Sequence, residues 1–546
     1  MKQVDTSGLS FQRIIDGDVY YVDKTLLIKD ILDTNRCGVY LFTRPRRFGK
    51  TLNLSMLDAF FNIRYRGNAW FDGLEISKHP EYECYRNAFP VIRLDLKEAK
   101  SNDYEGFMDG IRSAVFRCYQ DHDYIFNDPD FAPSKQIGCI NDTLIGLETS
   151  EGLLRVSIQL LSKELERYHG RKVVILIDEY DRAVSDAFGK ESHRPMMDFL
   201  GEFLNATLKT NESLQMAYVT GVMQIAKESI FSDLNNIDVK NIFSVQSDER
   251  FGFTEAEVKT IIKDYGHPER FDEAKGWYDG YRFGNAEVYN PYSVMSYVSN
   301  GFLPKAYWAN SGGDSVVRWL LEMADDRTID DLGTLVNGGS INVRLQEAMT
   351  YSDVRSRAVS LYSLMTMSGY LKAVPSEDGR FDISIPNMDV GTLVDAIIED
   401  MNPIDERIFL EFNRAILDCD ADRMASLLQI ILCDTSYLNL KDENAYGIMI
   451  LTIMHSLNRR YDVKAEVEAG NGRTDIMFRP KSEGPVPMIF ELKRVGSEDM
   501  LNRGLDEALE QIHDKRYYLG MKGRAILVGM AFCGKIPKVR IETIEV

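Results

Sequence analysis

The sequence predicts an α/β fold in three parts: a parallel sheet flanked by helices, a mostly helical middle domain and a C-terminal α/β domain. Residues 39–42 form a short apolar stretch that runs into a loop and then into a helical pattern. Residues 172–181, KVVILIDEYD, are an unbroken apolar run that ends in acids, which is typical of a strand buried on both faces of a parallel sheet. After residue 461 the apolar spacing changes to every second residue, which predicts further strands.

The loop at residues 41–51, LFTRPRRFGKT, connects the first predicted strand to its helix. A strand, a loop and a helix that begins near Gly49-Lys50-Thr51 have the arrangement of a phosphate-binding P-loop. In that arrangement the first amides of the helix face the phosphates of ATP, Lys50 reaches the β and γ oxygens, and the Thr51 hydroxyl binds Mg²⁺. Arg44 stands where the first glycine of the pattern falls, so this stretch alone leaves an ordinary strand-to-helix turn open.

Basic residues occupy most of this loop, as the run RPRR at 44–47. Because the run lies inside the presumed phosphate loop, we predict that it faces the nucleotide, and a DNA-binding patch is the second interpretation. The predicted nucleotide contacts in the loop are Arg44, Arg46, Arg47, Phe48, Gly49, Lys50 and Thr51.

The acidic end of the 172–181 strand decides between an ordinary strand-to-helix turn and a P-loop, in favour of the nucleotide site. Ligands of open α/β sheets lie at the carboxyl ends of the strands. We therefore expect Asp178 to hold the Mg²⁺ shell and Glu179 to polarise the attacking water. The strand at 215–221 ends near Thr220, for which a role in sensing the γ-phosphate and a plain strand end both stay open.

Composition excludes several classes of protein. A chain of 546 residues is too long for one core, and 44% hydrophobic and 27% charged residues are typical of globular domains. The seven cysteines include no CxxC pair, which argues against a zinc site or a disulfide framework. No apolar run reaches a membrane span and the N-terminus has no signal core, so we expect a cytoplasmic protein with no membrane partner. The net charge of −20 argues against a broad nucleic-acid-coating role.

Changes in residue pattern suggest the domain boundaries. Strands and helices alternate up to residue 250, and helical segments with aromatic turns follow. We predict a P-loop ATPase domain over 1–250, a helical middle or lid domain over 251–400, and a further α/β domain over 401–546. The sequence reveals no interface, so an oligomer is possible but cannot be predicted.

The C-terminal domain carries a second set of candidate catalytic residues. Asp475 ends the segment GNGRTD, and Glu491 and Lys493 lie two residues apart on the next predicted strand, so both point to one face. In a hairpin two such carboxylates converge and can bind Mg²⁺ or Mn²⁺, while a lysine orients water or neutralises developing charge. Gln511, on the following helix, is expected to face the same site. This spacing predicts metal-dependent hydrolysis of DNA or RNA, with an ordinary exposed acid and base on a hairpin as the alternative.

Taken as a whole, the chain resembles a bacterial family that joins a predicted AAA-like ATPase to a nuclease domain of the PD-(D/E)XK superfamily. The resemblance runs from residue 20 to residue 517 and is carried by YYVDKT, TRPRRFGKTLNLSML, VVILIDEYD, VTGVMQIAKESIFSDLNN, FGFTEAEV, GWYDGYRFG, VYNPYSV, GYLK, IPN, EAGNGRTDI, FELK and ALEQI…Y. It implies that arginine at the first P-loop glycine is usual in the family. It supports Lys50, Thr51, Asp178 and Glu179 as nucleotide-site residues.

The same resemblance assigns the C-terminal residues and shows two departures. Asp475, Glu491 and Lys493 match the nuclease pattern, and Gln511 is an accessory residue. The family tends to carry arginine where this chain has Gln224, and a histidine where Gly447 follows a tyrosine. Two alternatives to an ATP-gated nuclease stay open. One is a regulatory ATPase of the signal-transduction type with an inactive nuclease-like binding module, and the other is a nuclease whose P-loop binds nucleotide without turnover.

Overall fold

A computed structural model describes the chain in two compact units. It covers residues 2–546 apart from 35–37, 145, 147, 186, 188–189, 224–236, 309–330, 333, 337, 347–357, 402–405, 435–442, 455–456, 458–459, 483 and 522. The first unit comprises residues 1–323 and 340–394, and the second comprises residues 324–339 and 395–546. The predicted three-domain division at 250 and 400 stays a prediction. Among the described helices, none is long and apolar enough to cross a membrane.

A five-stranded parallel sheet forms the centre of the first unit. Its strands are β1 (Val39–Thr43), β2 (Val91–Asp95), β3 (Val173–Asp178), β4 (Leu214–Gly221) and β5 (Ile237–Lys240). The strand order is β2-β3-β4-β1-β5, and every neighbouring pair is parallel. All residues of β1 and β3 are buried, which explains their continuous apolar sequences. The order places β4 between the P-loop strand and the acidic strand, so the carboxyl ends of all three lie side by side.

Helices cover this sheet. In the first part of the unit they are α1 (Phe11–Asp16), α2 (Leu26–Asp33), α3 (Lys50–Phe61), α4 (Tyr104–Gln120), α5 (Tyr124–Asn127), α6 (Lys135–Leu144), α7 (Glu151–His169), α8 (Arg182–Ser185) and α9 (His193–Leu208). The main core contains apolar residues of the sheet together with those of α4, α6, α7 and α9. Ten of the twelve residues of α3 are buried, so the helix that begins at the P-loop is embedded in the unit, while Thr51 in its first turn stays exposed.

The middle of the chain is mostly helical, as predicted. Its described helices are α10 (Glu255–Asp264), α11 (Phe271–Tyr278), α12 (Pro291–Ser299), α13 (Ala358–Ser368) and α14 (Met388–Met401). Short strands accompany them as the hairpin β6 (Tyr281–Phe283) and β7 (Ala286–Val288), and as the three-stranded sheet of β8 (Ile341–Val343), β9 (Lys372–Pro375) and β10 (Phe381–Ser384). The predicted turn SEDGR joins β9 to β10. A complete capping box at Thr254 and Glu257 fixes the start of α10.

The second unit contains a mixed five-stranded sheet. Its strands are β11 (Tyr461–Ala469), β12 (Gly472–Pro480), β13 (Met488–Arg494), β14 (Arg524–Cys533) and β15 (Ile536–Glu545), in that order across the sheet. β13 and β14 are parallel and the other pairs are antiparallel. The helices of this part of the chain are α15 (Glu406–Leu417), α16 (Ala421–Asp434), α17 (Glu443–Met454) and α18 (Leu501–Lys515). The sequence predicted the first three strands, and the structure adds the long hairpin β14–β15.

Candidate functional site

The P-loop has the backbone geometry of a strand-to-helix phosphate loop. β1 ends at Thr43, and α3 begins at Lys50 after the N-cap residue Gly49, whose φ of 80° lies in the left-handed region. Glycine adopts this conformation without the Cβ strain of other residues. Arg47 also has a positive φ, of 66°. The loop therefore turns sharply onto the helix N-terminus, where free backbone N–H groups attract anions.

Lys50 is folded back onto its own loop. Its Nζ donates hydrogen bonds to the carbonyl oxygens of Arg44 at 2.9 Å and Pro45 at 2.8 Å. Burial lowers the pKa of the Lys50 ammonium to about 8, although the nearby carboxylates of Glu179, Asp181 and Asp178 favour its charged form. A buried ammonium satisfied only by carbonyls gains from contact with an anion, so this lysine is suited to bind phosphate.

Asp178 is the point at which three elements meet. Its Oδ2 accepts a hydrogen bond from the hydroxyl of Thr51 at 2.7 Å, and its Oδ1 accepts one from the hydroxyl of Thr220. The backbone amide of Glu179 also donates to Oδ1, at 3.1 Å. These contacts arise because β4, which ends in Thr220 and Gly221, lies between β1 and β3. The structure thus brings the predicted Mg²⁺ ligands Thr51 and Asp178 into direct contact, with Thr220 beside them.

Glu179 and Asp181 leave β3 in different directions. Glu179 has a φ of 50° and its Oε2 forms an ion pair with Arg182 at 3.0 Å. Asp181 is buried, which raises the pKa of its carboxyl, and its Oδ2 accepts the amides of Val222 at 2.9 Å and Met223 at 2.8 Å. Asp181 therefore holds the chain after β4, while Glu179 faces the cavity described next. From the sequence we predicted roles for Asp178 and Glu179 of DEYD, but none for Asp181.

A cavity of about 610 Å³ opens above the loop. Its walls include residues 46–53 of the P-loop and α3, residues 5–10 and 20–22 of the N-terminal segment, and Phe253, Tyr292 and Met295 of the middle of the chain. Eight cationic side chains line it against the two carboxylates Asp5 and Glu179, and they are Lys24, Arg46, Arg47, Lys50, Arg93, Lys97, Arg182 and Arg250. Some of them already have acidic partners, such as Lys24 with Glu257 and Arg250 with Asp30. In a chain with a net charge of −20, this local excess of positive charge favours a polyanionic ligand.

The structure separates the predicted loop contacts into two groups. Arg46, Arg47, Phe48, Gly49, Lys50 and Thr51 line the cavity. Arg44 does not line it, because its side chain is fully buried between the rings of Phe251 and Phe283, at 4.9 and 5.2 Å from their centroids. Asp178 and Thr220 lie buried beneath Thr51. Gln224 lies outside the described residues.

In the second unit the predicted hairpin brings Asp475 and Glu491 together. Ile476 pairs with Phe490 across β12 and β13, so the two acids lie next to this pair at the same end of the ladder. Asp475 Oδ2 accepts the amide of Leu492 at 2.7 Å. Lys493 Nζ donates to Glu491 Oε1 and to the Leu492 carbonyl oxygen, both at 3.1 Å. The three residues of the predicted nuclease pattern thus form one cluster.

α18 completes this cluster from the side. Gln511 Nε2 donates to Glu491 Oε1 and, at 3.1 Å, to the hydroxyl of Tyr517. The Tyr517 hydroxyl donates in turn to the carbonyl oxygen of Arg473 at 2.6 Å, on the strand that carries Asp475. The predicted accessory residue Gln511 is therefore in contact with the site. Tyr446 is not, since it stacks on Phe532 and its hydroxyl donates to the Gly534 carbonyl oxygen at 2.8 Å.

Glu491 has the properties of a metal ligand. It is 1% exposed, and its Oε2 accepts no hydrogen bond from the described residues. Burial and the neighbouring charge of Asp475 raise the pKa of Glu491 to about 7, which Lys493 only partly offsets. A proton or a bound cation can satisfy a buried carboxylate oxygen that has no donor, so Glu491 fits the role of a metal ligand. Within the described residues no group of three or more His, Cys, Asp and Glu side chains could hold a metal, so the protein ligands that this cluster offers a cation are the two carboxylates of Asp475 and Glu491.

Comparisons with known proteins match the two parts of the chain to two families. Residues 8–231 match the family model described as predicted AAA-ATPase, and residues 441–541 match that of the PD-(D/E)XK nuclease superfamily. An uncharacterized protein in the vnfD 5′ region of Azotobacter chroococcum mcd 1 is 25% identical over 389 residues, which cover 70% of this chain and 67% of that protein. A chain in the structure of Drosophila ORC bound to AT-rich DNA and Cdc6 matches at 8% identity and a TM-score of 0.16, over 72% of this chain and 91% of that chain. At that TM-score the match supports neither a fold nor a function.

The family matches define the class of protein. The chain joins an α/β domain with a five-stranded parallel sheet, which matches the AAA-ATPase-like family over residues 8–231, to a mixed-sheet domain, which matches the PD-(D/E)XK nuclease superfamily over residues 441–541. The two matches follow each other in the order that the sequence predicted.

Proposed function

We propose that the chain binds and hydrolyses ATP, and that its nucleotide state gates a metal-dependent phosphodiesterase acting on nucleic acid. The observation that carries the ATP half is the contact of Thr51 and Thr220 with Asp178 at the base of a cation-lined cavity. These residues come from three separate stretches of sequence, and the pair of Thr51 and Asp178 has the arrangement by which P-loop nucleotide sites hold Mg²⁺.

In this proposal each loop residue has a defined role in binding ATP. Lys50 leaves the carbonyls of Arg44 and Pro45 and pairs with the β- and γ-phosphates, while the amides after Gly49 face the phosphate oxygens. Arg46, Arg47 and Phe48 line the same cavity and contact the nucleotide. Thr51 and Asp178 hold Mg²⁺, which neutralises charge on the phosphates when it is bound.

Hydrolysis depends on Glu179 and Thr220. Glu179 orients and polarises the attacking water, since its carboxylate lies at the cavity wall with Arg182. Thr220 contacts Asp178 from β4 and so adjusts to whether a γ-phosphate is present. We assign turnover as well as binding because the carboxylates of Asp178 and Glu179 follow each other at the end of β3, beside the cavity.

The nuclease half rests on the cluster of Asp475, Glu491 and Lys493. Asp475 and Glu491 would hold Mg²⁺ or Mn²⁺, which supplies a nucleophilic water and stabilises charge on the phosphate. Lys493 orients that water and neutralises the developing negative charge. Gln511 fixes the Glu491 carboxylate through Oε1, which leaves Oε2 for the cation. The substrate class is DNA or RNA.

Gating requires that ATP and ADP bind differently to two states of the protein. What supports it is the presence of both sites on one chain, together with the position of the middle of the chain at the cavity wall through Phe253, Tyr292 and Met295. The second candidate is a regulatory ATPase switch whose nuclease-like domain only binds nucleic acid or protein. The undamaged Asp475–Glu491–Lys493 cluster favours the first function over the second.

Equilibrium binding of Mg²⁺-ATP tests the nucleotide half. Wild type should bind ATP, Lys50→Ala should lose binding, and Lys209→Ala, which alters an exposed lysine of the same domain, should keep it. Turnover of ATP to ADP measured on the same samples then separates binding from hydrolysis. Absence of ATP binding by the folded wild-type protein would overturn the nucleotide half, and binding without turnover would reduce it to a nucleotide-binding scaffold.

A further inference from the structure

The P-loop is enclosed on one side by aromatic residues from the middle of the chain. We call this set the aromatic collar, and it consists of Phe251, Tyr281, Phe283, Tyr292 and Trp308. The guanidinium of Arg44 lies 4.9 Å from the ring of Phe251 and 5.2 Å from that of Phe283. That of Arg47 lies 4.4 Å from the ring of Tyr292. All these residues belong to the first compact unit.

Arg46 and Phe48 also contact the collar. Trp308 Nε1 donates to the carbonyl oxygen of Arg46 at 3.3 Å. The ring of Phe48 lies 4.9 Å from that of Tyr281 and 5.0 Å from that of Phe283. Four of the five residues from Arg44 to Phe48 therefore contact the collar, and a change of loop conformation must alter these contacts.

Arg44 forms hydrogen bonds to several parts of the first unit. Its amide donates to the carbonyl oxygen of Gly221 at the end of β4, at 3.1 Å. Its Nη1 donates to the carbonyl oxygens of Thr43 and Lys240, both at 2.8 Å, and Lys240 ends β5. Its own carbonyl accepts the hydrogen bond from Lys50. One residue thus connects the phosphate-binding lysine, two strand ends and the collar.

The energetics argue that this guanidinium does more than fill space. It is fully buried, and its Nε and Nη2 donate no hydrogen bond to the described residues. A buried cation with unsatisfied donors is costly, and an apolar side chain of similar volume often fills such a site at least as stably. Burial accordingly lowers the pKa of Arg44 to about 10. Attraction between the cation and the faces of two aromatic rings offsets part of this cost.

Binding of a triphosphate disturbs this arrangement at one defined point. If Lys50 turns to the phosphates, the carbonyls of Arg44 and Pro45 lose their donor, and a buried carbonyl without a partner is unfavourable. The Arg44 peptide then has to reorient. Because the Arg44 side chain lies between the rings of Phe251 and Phe283, this movement changes its contacts with the collar.

We propose that Arg44 is a positioning residue that transmits the state of Lys50 to the aromatic collar, so that the middle of the chain responds to bound nucleotide. The inference rests on the proposed binding of ATP and names the residue through which that binding is transmitted. It assigns to Arg44 a role that differs from the nucleotide contact expected from its place in the loop.

Hydrogen–deuterium exchange with and without Mg²⁺-ATPγS tests the proposal on the full chain. In wild type, the analogue should change exchange in peptides from the P-loop and in peptides from 251–295. In Arg44→Met, which keeps volume but removes the donors and the charge, the P-loop response should remain and the response of 251–295 should be lost. Phe283→Leu, which removes one face of the collar, should give the same separation. Arg86→Met removes a comparable cation–aromatic contact with Phe71 and should behave as wild type.

The outcomes separate the two proposals. Equal responses of both regions in wild type and in both variants would overturn the role of Arg44, as would a wild-type response confined to the P-loop. No response in either region of wild type would show that nucleotide does not bind, and would overturn the proposed function as well. If Arg44→Met fails to fold, as judged by its thermal transition, Phe283→Leu decides the matter alone.

Discussion

The hydroxyl of Thr51 donates a 2.7 Å hydrogen bond to Asp178 Oδ2, and it joins two stretches that are 127 residues apart in the sequence. A hydroxyl at the start of a helix and a carboxylate at the end of a strand are the oxygen ligands that Mg²⁺ prefers beside phosphates. β4 lies between β1 and β3, and this order brings Thr220 to the second oxygen of the same carboxylate. From this geometry, and from the packing of each unit, we draw four predictions.

The first prediction concerns Thr220. Thr220→Val keeps the shape of the side chain but removes the hydroxyl that donates to Asp178 Oδ1. Hydrogen bonds to charged groups contribute about 1.5–3 kcal/mol, so ATP turnover should fall by about 10- to 100-fold. Thr260→Val alters an exposed threonine of α10 and should leave turnover unchanged. Steady-state kinetics in Mg²⁺ measures both, and equal rates for wild type and Thr220→Val would remove Thr220 from the site.

The second prediction separates binding from hydrolysis at Glu179. Glu179→Gln keeps the side-chain size and an acceptor for Arg182 but removes the general base. We expect ATP affinity to stay close to that of wild type, while turnover falls by about 10²- to 10⁴-fold. Glu212→Gln, at an exposed position before β4, serves as the control. Undiminished turnover in Glu179→Gln would assign the base to another residue.

The third prediction concerns the acid stability of the first unit. His122 is 4% exposed and its Nδ1 lies 2.8 Å from the Cys118 carbonyl oxygen, and burial lowers the pKa of His122 to about 4. Because this pKa is below that of an unfolded histidine, the folded state holds the neutral ring. The stability that results is complete above pH 6.5 and decreases as the pH falls towards 4, by up to about 3 kcal/mol.

His122→Gln should therefore make the free energy of unfolding less dependent on pH between 6.5 and 4. His267→Gln, on the surface near α10, should follow the wild-type curve. Urea unfolding at several pH values measures the difference. The same slope in wild type and His122→Gln would show that His122 does not account for the acid sensitivity.

The fourth prediction tests how the nuclease cluster is supported. Gly470 has a φ of 52°, and a Cβ there would lie 2.2 Å from the carbonyl oxygen of Lys515 at the end of α18. The next residue, Asn471, donates its amide to that same oxygen at 2.7 Å. Gly470→Ala must push the β11–β12 hairpin away from α18, at a cost of about 1–3 kcal/mol.

Gly496 offers a matched control, since a Cβ added there meets nothing within 4 Å. Gly496→Ala should keep wild-type stability and cleavage, whereas Gly470→Ala should lose both, because α18 also carries Gln511. Thermal unfolding followed by a cleavage assay makes the comparison. A Gly470→Ala protein as stable as Gly496→Ala would contradict the tight docking of this hairpin.

Local pattern was sufficient to predict much of the fold. The apolar run of β3, the Gly49-Lys50-Thr51 helix start and the alternating β11–β13 region are each determined within about ten residues, and the structure shows them as predicted. The hairpin also predicted the approach of Asp475 to Glu491, because side-chain alternation and a short turn fix which residues face each other.

Contacts between distant stretches could not be predicted in this way. The loop sequence placed Arg44 among the phosphate contacts, but its side chain is buried by Phe251 and Phe283, which follow it by more than 200 residues. The acids of DEYD differ in role because Asp181 binds the amides after β4, and only the strand order reveals that partner. The residues of the N-terminal segment at the cavity carry no recognisable ligand pattern, and the strand pair β14–β15 was missed as well.

The central claim is that one chain couples an ATP site to a working nuclease. A cleavage assay on single- and double-stranded DNA and RNA, in Mg²⁺ or Mn²⁺ and with or without ATP, tests it most directly. The assay compares wild type with Lys493→Ala, Lys50→Ala and the control Lys464→Ala, which alters an exposed lysine of β11. We expect cutting by wild type and Lys464→Ala, none by Lys493→Ala, and a loss of the ATP effect in Lys50→Ala. Cutting that is indifferent to ATP would contradict gating. Absence of cutting on every substrate, with ATP turnover intact, would contradict the nuclease and favour a regulatory switch with a binding module.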